Sequence, residues 1–281
     1  MTNRKILIGY DRSIGAKNAA GWALDLAART GAPVEFLYTY EWPIWAPTTT
    51  MVPATAVWPD SATVEGIKEM LQEAVASAGR THPAVRTTYT TVDGNAALTL
   101  IGRSADAGLV VVGSLGHSAV AGLLGSVSAS VSAHAHCPVV VVRDREPTTA
   151  PIVAGYDAHE TVLAFAAEQA STWHVPLRVI HAWKPVTTWY EGTAIDVRTI
   201  TPEERRPFDD AVERWREKYP GLQIIADAVV DHPAAALTRA SASAQLVVVG
   251  SRGHGAVRGT LLGSVSQHLL RHSACSVAVV H

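Results

Sequence analysis

Two glycine-rich loops contain the residues of this sequence that are best suited to bind an anion. The later loop reads Gly-Ser-Arg-Gly at residues 250–253, and nine residues separate it from Gly263-Ser264, which opens a helical pattern. Glycine tolerates positive φ and lets the backbone approach a ligand, so successive N–H groups can surround a phosphate. The start of the following helix favours an anion as well, and Arg252 and Arg258 could add charge-assisted contacts. The pattern predicts a phosphate site, with two purely structural turns as the alternative.

The earlier loop is a shorter version of the same pattern. It reads Gly-Ser-Leu-Gly at residues 113–116, and only eight residues separate it from Gly125-Ser126. It also contains no arginine, so we expect a weaker phosphate loop in this copy. A histidine follows each loop, His117 in the first and His254 in the second. These histidines either contact phosphate or are solvated loop residues.

Motifs of rapid catalysis are missing from the sequence. It has no Gly-Lys-Ser/Thr of a Walker loop, no dinucleotide-binding glycine spacing and no Gly-x-Ser-x-Gly nucleophile elbow. His134, His136 and Cys137 match no standard zinc spacing. We therefore predict neither catalytic nor metal-binding residues, while a scattered Ser-His-Asp triad stays an open alternative.

The elements that must position these loops occur twice in the chain. Val-Val-Val-Gly-Ser recurs at an offset of 137 residues and Leu-Leu-Gly-Ser-Val-Ser at an offset of 138. This repeat predicts two domains, at residues 1–146 and 147–281. In each copy, short apolar runs alternate with helical patterns, which predicts an α/β fold with a doubly wound parallel sheet. Ligands of such sheets bind beyond the carboxyl ends of the strands, where the glycine loop and Asp11 or Asp157 would meet.

In the second copy, one helix has a clear start signal. Thr201-Pro-Glu-Glu204 offers a capping box. We expect Pro207 to delay this helix, because proline fits poorly inside a helix.

Composition excludes several classes of protein. The 281 residues are 48% hydrophobic with a net charge of −2, which excludes disorder and gives no basic excess for binding nucleic acid. No apolar run approaches the roughly 20 residues of a membrane span, and no secretory leader pattern opens the sequence. Two cysteines form no disulfide framework and fit a reducing compartment. We therefore expect a cytoplasmic protein that binds neither nucleic acid nor membranes.

Taken together and in order, these motifs resemble the universal stress protein family. The resemblance rests on Gly-x-Asp after strand one, Gly-x2-Gly-x9-Gly-Ser after strand four, and the closing His134-Ala-His-Cys-Pro-Val segment. The motifs occur once in each half, so the resemblance covers nearly the whole chain. The two copies together are similar to the tandem form typical of actinobacteria. It implies a five-stranded parallel sheet of order 3-2-1-4-5 in each copy, with helices on both faces. The last strands would pair within the chain as a pseudo-dimer, and a homodimer of chains is a further option.

The resemblance also implies an adenine nucleotide, ATP, at the edge between strands one and four, with or without Mg. Asp11 and Asp157 would lie near the nucleoside, and Gly9 and Gly155 would allow its close approach. The residues implied to hold phosphate and ribose are Gly113, Ser114, Gly116, His117, Gly125, Ser126 and Val127 in the first copy, and Gly250, Ser251, Arg252, Gly253, His254, Gly255, Arg258, Gly263, Ser264 and Val265 in the second.

The second copy departs from the first near its aspartate. From Asp157 to Pro176 is 19 positions, against 22 from Asp11 to Pro33. We therefore expect three residues to be missing near the turn after strand one, at the nucleoside end of that site. The second copy keeps the longer loop and its arginines, which favours it as the tighter site.

The resulting hypothesis is an ATP-binding stress sensor or regulator with an unidentified protein partner. A slow ATPase or nucleotidyl transferase is one alternative. A dimeric interaction module that has lost its nucleotide is the other, and co-purifying nucleotide would separate it from the sensor.

Overall fold

The computed structural model describes residues 4–40, 61–116, 124–143, 149–157, 159–190, 193–196, 198–253 and 262–281. The first half contains five strands and four helices within these ranges. They are β1 (Ile6–Gly9), α1 (Ile14–Thr30), β2 (Val34–Tyr40), α2 (Ser61–Thr81), β3 (Thr87–Asp93), α3 (Ala96–Ser104), β4 (Leu109–Gly113), α4 (Ser126–His134) and β5 (Val139–Val142).

The second half repeats this order and adds a two-stranded hairpin. Its elements are β6 (Ile152–Gly155), α5 (Glu160–Trp173), β7 (Leu177–Trp183), β8 (Thr187–Tyr190), β9 (Thr193–Asp196), α6 (Pro202–Lys218), β10 (Ile224–Val230), α7 (Pro233–Ser241), β11 (Leu246–Gly250), α8 (Ser264–His272) and β12 (Ser276–Val280). The antiparallel hairpin of β8 and β9 is a feature that the sequence did not predict.

Ten strands form one continuous sheet in the order β10-β7-β6-β11-β12-β5-β4-β1-β2-β3. Counted from its own first strand of this sheet, each half therefore has the order 3-2-1-4-5, and within each half all pairs of this sheet are parallel. The expected fold class and strand order are confirmed. The helices α1, α2, α5 and α6 cover one face, and α3, α4, α7 and α8 cover the other. The central strands are buried on both faces, as continuous apolar runs indicate.

The two halves join where β5 and β12 pair antiparallel. Ala278 lies opposite Val140, and the neighbouring pairs are related by exchange of the two halves. This arrangement places a pseudo-two-fold axis at the Ala278–Val140 pair, as in an isologous dimer interface. The expected pairing of the last strands within one chain is therefore present. Cys137 and Cys275 lie on opposite sides of the axis, roughly 20 Å apart along the strands. Both are free thiols, because a disulfide would need them far closer.

The three residues missing from the second half come from a helix rather than from a turn. Helix α5 has 14 residues and α1 has 17. The spacing from Asp11 to Ile14 equals that from Asp157 to Glu160, so the turn after the first strand has the same length in both halves. The expectation of a shortened turn was wrong. Three residues are close to one helical turn of 3.6, so their removal keeps the buried face directed at the sheet.

Helix α6 begins earlier than expected. Thr201 accepts a hydrogen bond from the N–H of Glu204, whose side chain accepts one from the N–H of Thr201, and Pro202 is the first helical residue. Pro207 lies inside the helix, so the expected delay was wrong. The capping box and Pro202 together fix the first turn before Pro207 is reached.

None of the helices in the described ranges is both long enough and apolar enough to cross a bilayer.

Candidate functional site

The turn after β1 fixes an aspartate at the carboxyl edge of each half. In the first half the N–H of Ser13 donates to Oδ1 of Asp11 over 2.9 Å. Ser13 then caps α1, because its Oγ accepts from the N–H of Ala16 over 3.1 Å. In the second half the N–H of His159 donates to Oδ1 of Asp157 over 3.1 Å. Both aspartates are thus held in the same turn with their second oxygen directed elsewhere.

That second oxygen faces the glycine loop in both halves. A Cβ added to Gly116 would lie 3.1 Å from Oδ2 of Asp11. A Cβ added to Gly250 would lie 3.3 Å from Oδ2 of Asp157, and one on Gly253 would lie 3.8 Å from the same oxygen. The structure therefore brings together the two segments that the sequence singled out. Glycine keeps the space beside each carboxylate open.

The first glycine loop connects directly to the start of α4. The N–H of Ser114 donates to the carbonyl of Val142 over 2.9 Å, and the N–H of Gly125 donates to the carbonyl of Ser114 over 3.0 Å. Oγ of Ser128 donates to the carbonyl of Gly113 over 2.6 Å. These bonds hold the loop against the helix start, where the exposed Ser126 is the first helical residue.

The second loop is built in the same way. The N–H of Ser251 donates to the carbonyl of Val280 over 2.7 Å, and the N–H of Gly263 donates to the carbonyl of Ser251 over 2.8 Å. Ser264 begins α8 and is exposed. Both helices have a glycine at the N-cap, Gly125 and Gly263, which makes no side-chain capping bond. The first N–H groups of α4 and α8 are therefore available to an anion.

A cavity of about 670 Å³ opens beside Asp11 at the carboxyl edge of the first half. This volume is within the usual range of small-molecule sites. Its wall combines apolar and aromatic side chains with the backbone of the glycine loop. The lining side chains that the sequence did not single out include Tyr10, Leu37, Tyr38, Thr39, Leu100 and Leu124. Tyr10 directly follows β1, and Leu37, Tyr38 and Thr39 lie in β2 from the residue paired with Gly9 onward, so the strand order could have pointed to them.

Tyrosines on the cavity wall stay protonated at neutral pH. Burial raises the pKa of Tyr38, and the nearby Tyr40 and Asp11 raise it further. Burial likewise raises the pKa of Tyr10. Each phenol can therefore donate a hydrogen bond to a ligand.

The second half has a histidine where the first half has Tyr38. Nδ1 of His181 lies 2.9 Å from the carbonyl of Tyr156, so Nδ1 carries the proton and donates. The ring stacks on Phe208 and meets Trp183 edge-on. Burial lowers the pKa of His181. The imidazole is therefore neutral at neutral pH, with Nε2 as an acceptor.

The two loops also differ in how closely they approach the helix after the first strand. A Cβ added to Gly15 would lie 2.4 Å from the carbonyl oxygen of Leu115, so this loop rests on the first turn of α1. Gly15 is also in backbone contact with Gly113. The equivalent position of the second half is Thr161. Its loop has the exposed Arg252 where the first has Leu115.

Gly9 and Gly155 have a packing role that the sequence did not indicate. A Cβ on Gly9 would lie 3.1 Å from Cδ1 of Leu100, and one on Gly155 would lie 2.9 Å from Cδ1 of Leu237. These glycines make room for α3 and α7. Gly9 also lines the cavity, so its lack of a side chain allows both the close packing of α3 and the approach of a ligand.

The remaining predicted residues fall into two groups. Val127 and Val265 are partly buried against the apolar layer under α4 and α8, so their side chains contribute to packing. His117, His254, Gly255 and Arg258 lie outside the described residues. In the described part of the chain, no group of three or more His, Cys, Asp or Glu side chains is arranged to hold a metal ion.

Comparison with known proteins gives one consistent result. The model of the family described as "Universal stress protein family" matches residues 2–143 and again residues 151–281. Universal stress protein Rv2623 of Mycobacterium tuberculosis is 34% identical over 98% of this chain and 95% of its own length. The crystal structure of a universal stress protein from Archaeoglobus fulgidus has the same fold, with a TM-score of 0.68, 17% identity and coverage of 99% and 96% of the two chains. A universal stress protein solved in complex with cAMP is 27% identical over 50% of this chain and 98% of its own, with a TM-score of 0.39. The family model covers both halves and the mycobacterial relative is similar over nearly the full length, so this chain belongs to the universal stress protein family.

Proposed function

We propose that this protein binds an adenine nucleotide, ATP, at the carboxyl edge of each half and acts as a nucleotide-dependent regulator rather than a fast enzyme. The observation that supports the proposal best is the meeting of Asp11 with Gly116, and of Asp157 with Gly250, beside helix starts whose N-caps are glycines. A carboxylate next to an anion site favours a ligand with hydroxyl or amino donors at one end and phosphate at the other. A nucleotide has this distribution of groups.

In the first half, the cavity has room for a nucleoside between the carboxyl ends of β1 and β2. Leu37 and Leu100 would contact the base, and Oδ2 of Asp11 would accept a hydrogen bond from a hydroxyl or amino group. The N–H groups near Gly116 and at the start of α4 would bind phosphate oxygens. Asp11 is the only carboxylate among the described lining residues, so Mg would be held mainly through the phosphates.

We propose that the second half binds the triphosphate more tightly. Arg252 supplies a cation in its loop where the first half has Leu115. The turn that holds Asp157 has the same length as the turn that holds Asp11, which removes the expected defect at its nucleoside end. The first loop, resting on Gly15, leaves less freedom to adjust to a long phosphate chain.

A regulatory role fits the residues that are described. The described lining of the first cavity contains no lysine, arginine or histidine. Fast phosphoryl transfer needs cations on the transferred group and a positioned nucleophile. Binding would then act by favouring one conformation over another, by as much as its affinities for the two states differ.

The first test is whether nucleotide is bound at all. Mass spectrometry of the supernatant from denatured, freshly purified protein should find adenine nucleotide. Calorimetry on stripped protein should show ATP binding, with AMP and cAMP as competitors. Turnover above background would favour the enzyme alternative. Absence of both co-purifying nucleotide and any heat of binding would favour the interaction module and refute the proposal.

Conservative variants test which aspartate contributes to ATP binding in each half. Asp11→Asn and Asp157→Asn keep the Oδ1 acceptor of the turn but remove the charge, so each should weaken ATP binding in its own half by about 10- to 100-fold. Asp106→Asn, in an exposed loop preceding β4, is the matched control and should bind as the wild type does. Equal binding by all three variants would exclude the aspartates from the site.

A further inference from the structure

Two residues that follow the central strands reach across the pseudo-two-fold axis. Arg143 follows β5, and its Nη2 donates to the carbonyl of Leu270 in α8 over 2.8 Å. His281 follows β12, and its Nε2 lies 3.2 Å from the carbonyl of Ser132 in α4. A carbonyl can only accept, so Nε2 of His281 carries the hydrogen. Each half therefore holds a helix of the other half by one hydrogen bond.

The two contacts are equivalent under the repeat. Arg143 and His281 differ by 138 positions, and so do Ser132 and Leu270, which matches the offset of the glycine-serine motif. In both helices the contact satisfies a last-turn carbonyl, one position after the carbonyl that accepts from the C-cap N–H. The cation of Arg143 also suits the negative end of the α8 dipole.

The strands that carry these residues hold the glycine loops of their own halves. The carbonyl of Val142, immediately before Arg143, accepts from Ser114. The carbonyl of Val280, immediately before His281, accepts from Ser251. Two consecutive residues in each half thus connect its own glycine loop to a helix of the other half. Val142 and Arg143 connect the first loop to α8, and Val280 and His281 connect the second loop to α4.

We propose that Arg143 and His281 are positioning residues for the ligand site of the opposite half. Arg143 fixes α8, whose start forms the site beside Asp157, and His281 fixes α4, whose start forms the site beside Asp11. This inference rests on the proposed function for its ligand, but the positioning of the helices does not require one. Each helix has nine residues, so the carbonyl of Leu270 or Ser132 that accepts this hydrogen bond is only about 9 Å along the axis from the first helical residue. A shift of this carbonyl therefore displaces the N–H groups that face the ligand.

The test uses proteins with a single working site. In the Asp11→Asn background, ATP binding reports the second half, and Arg143→Ala should weaken it about fivefold, as expected for one lost hydrogen bond. In the Asp157→Asn background, the same change should leave ATP binding within about twofold. His281→Ala should give the reverse pattern. This crossed pattern is not expected from a general loss of stability.

Rescue and control variants test the same contacts. Arg143 and His281 occupy equivalent positions in the two halves, so His281→Arg and Arg143→His should retain the ATP binding that the alanine variants lose. Arg271→Ala removes an exposed cation from the last turn of α8, and it should leave ATP binding at the second site within about twofold. Binding losses that are equal in both backgrounds, or that fall in the half carrying the change, would overturn the proposal.

Amide hydrogen exchange of the nucleotide-free protein separates this inference from the proposed function. Arg143→Ala should speed exchange in α8 and leave α4 unchanged, and His281→Ala should do the opposite. If exchange shows this pattern but the wild type binds no ATP, the nucleotide proposal fails and the positioning role stands. If exchange rises equally in both helices, or in neither, the positioning role is refuted.

Discussion

A methyl group added at Gly15 should destabilise the first half, although the same change elsewhere in the same helix should stabilise it. The added Cβ of Gly15→Ala would lie 2.4 Å from the carbonyl oxygen of Leu115, where 3.4 Å is an ordinary contact. The two segments must therefore separate by about 0.6–1 Å. The added Cβ has no rotamers and its partner is a backbone oxygen, so no rotamer change can relieve the contact. Overpacking of this kind costs about 1–3 kcal/mol.

Gly21→Ala provides the matched control. Gly21 lies in the middle of α1, is exposed, and a Cβ there would meet nothing within 4 Å. Replacing glycine by alanine in a helix interior stabilises it by about 0.5–1 kcal/mol. The two substitutions, six residues apart in one helix, should therefore have opposite signs. Their unfolding free energies should differ by about 1.5–4 kcal/mol.

Urea unfolding followed by tryptophan fluorescence measures the difference directly. ATP binding in the Asp157→Asn background then reports whether the first site is altered, because separation of the loop from α1 moves Gly116 away from Asp11. We expect Gly15→Ala to weaken this binding and Gly21→Ala to leave it unchanged. If Gly15→Ala stabilises the protein as much as Gly21→Ala does, the close contact between the loop and α1 is refuted.

Two further predictions concern pH. Burial lowers the pKa of His181 below its usual 6.5, so its neutral form favours the folded state, and this contribution is lost as pH falls below 6.5. The unfolding free energy of His181→Phe, measured by urea titration, should therefore decline less steeply below pH 6.5 than that of the wild type; equal slopes would contradict it. Burial raises the pKa of Glu35, but hydrogen bonds and charge from Lys5, Thr90 and Arg103 outweigh this and lower it. Glu35→Gln should cost about 1–3 kcal/mol at pH 7, and the gap to the wild type should close as pH falls below 4.5; a constant gap down to pH 3 would refute the ion-pair assignment.

The repeat and the alternation of strands and helices could be predicted because they appear as local patterns in the sequence. Glycine loops follow apolar runs twice, and the carboxyl ends of parallel strands must share one edge. That rule was enough to predict that Asp11 lies close to the 113–116 loop. The resemblance supplied the order 3-2-1-4-5, which alternation of strands and helices alone does not give.

Contacts between distant residues could not be predicted in the same way. Arg143 and Leu270 are 127 positions apart, and neither has a neighbourhood that indicates the other. The contact of Gly9 with Leu100 depends on how α3 packs on the sheet, which no spacing reveals. The position of the three missing residues was misjudged because a deletion counted between two landmarks does not say which element has lost them.

The comparison of the two halves indicates where they have diverged. The central strands have nearly the same residues, Val-Val-Val-Val at 139–142 and Val-Ala-Val-Val at 277–280. The carboxyl edge keeps its aspartates and loop glycines in both halves but differs at three positions of the ligand region: Gly15 corresponds to Thr161, Tyr38 to His181 and Leu115 to Arg252. The central strands that join the halves are therefore nearly symmetric, while the carboxyl edges are not. Of these three differences, only the change from Leu115 to Arg252 adds a charge to the glycine loop, so we expect it to contribute most to a difference in ATP affinity between the two sites. Exchanging Leu115 and Arg252 between the halves should then exchange the order of their ATP affinities.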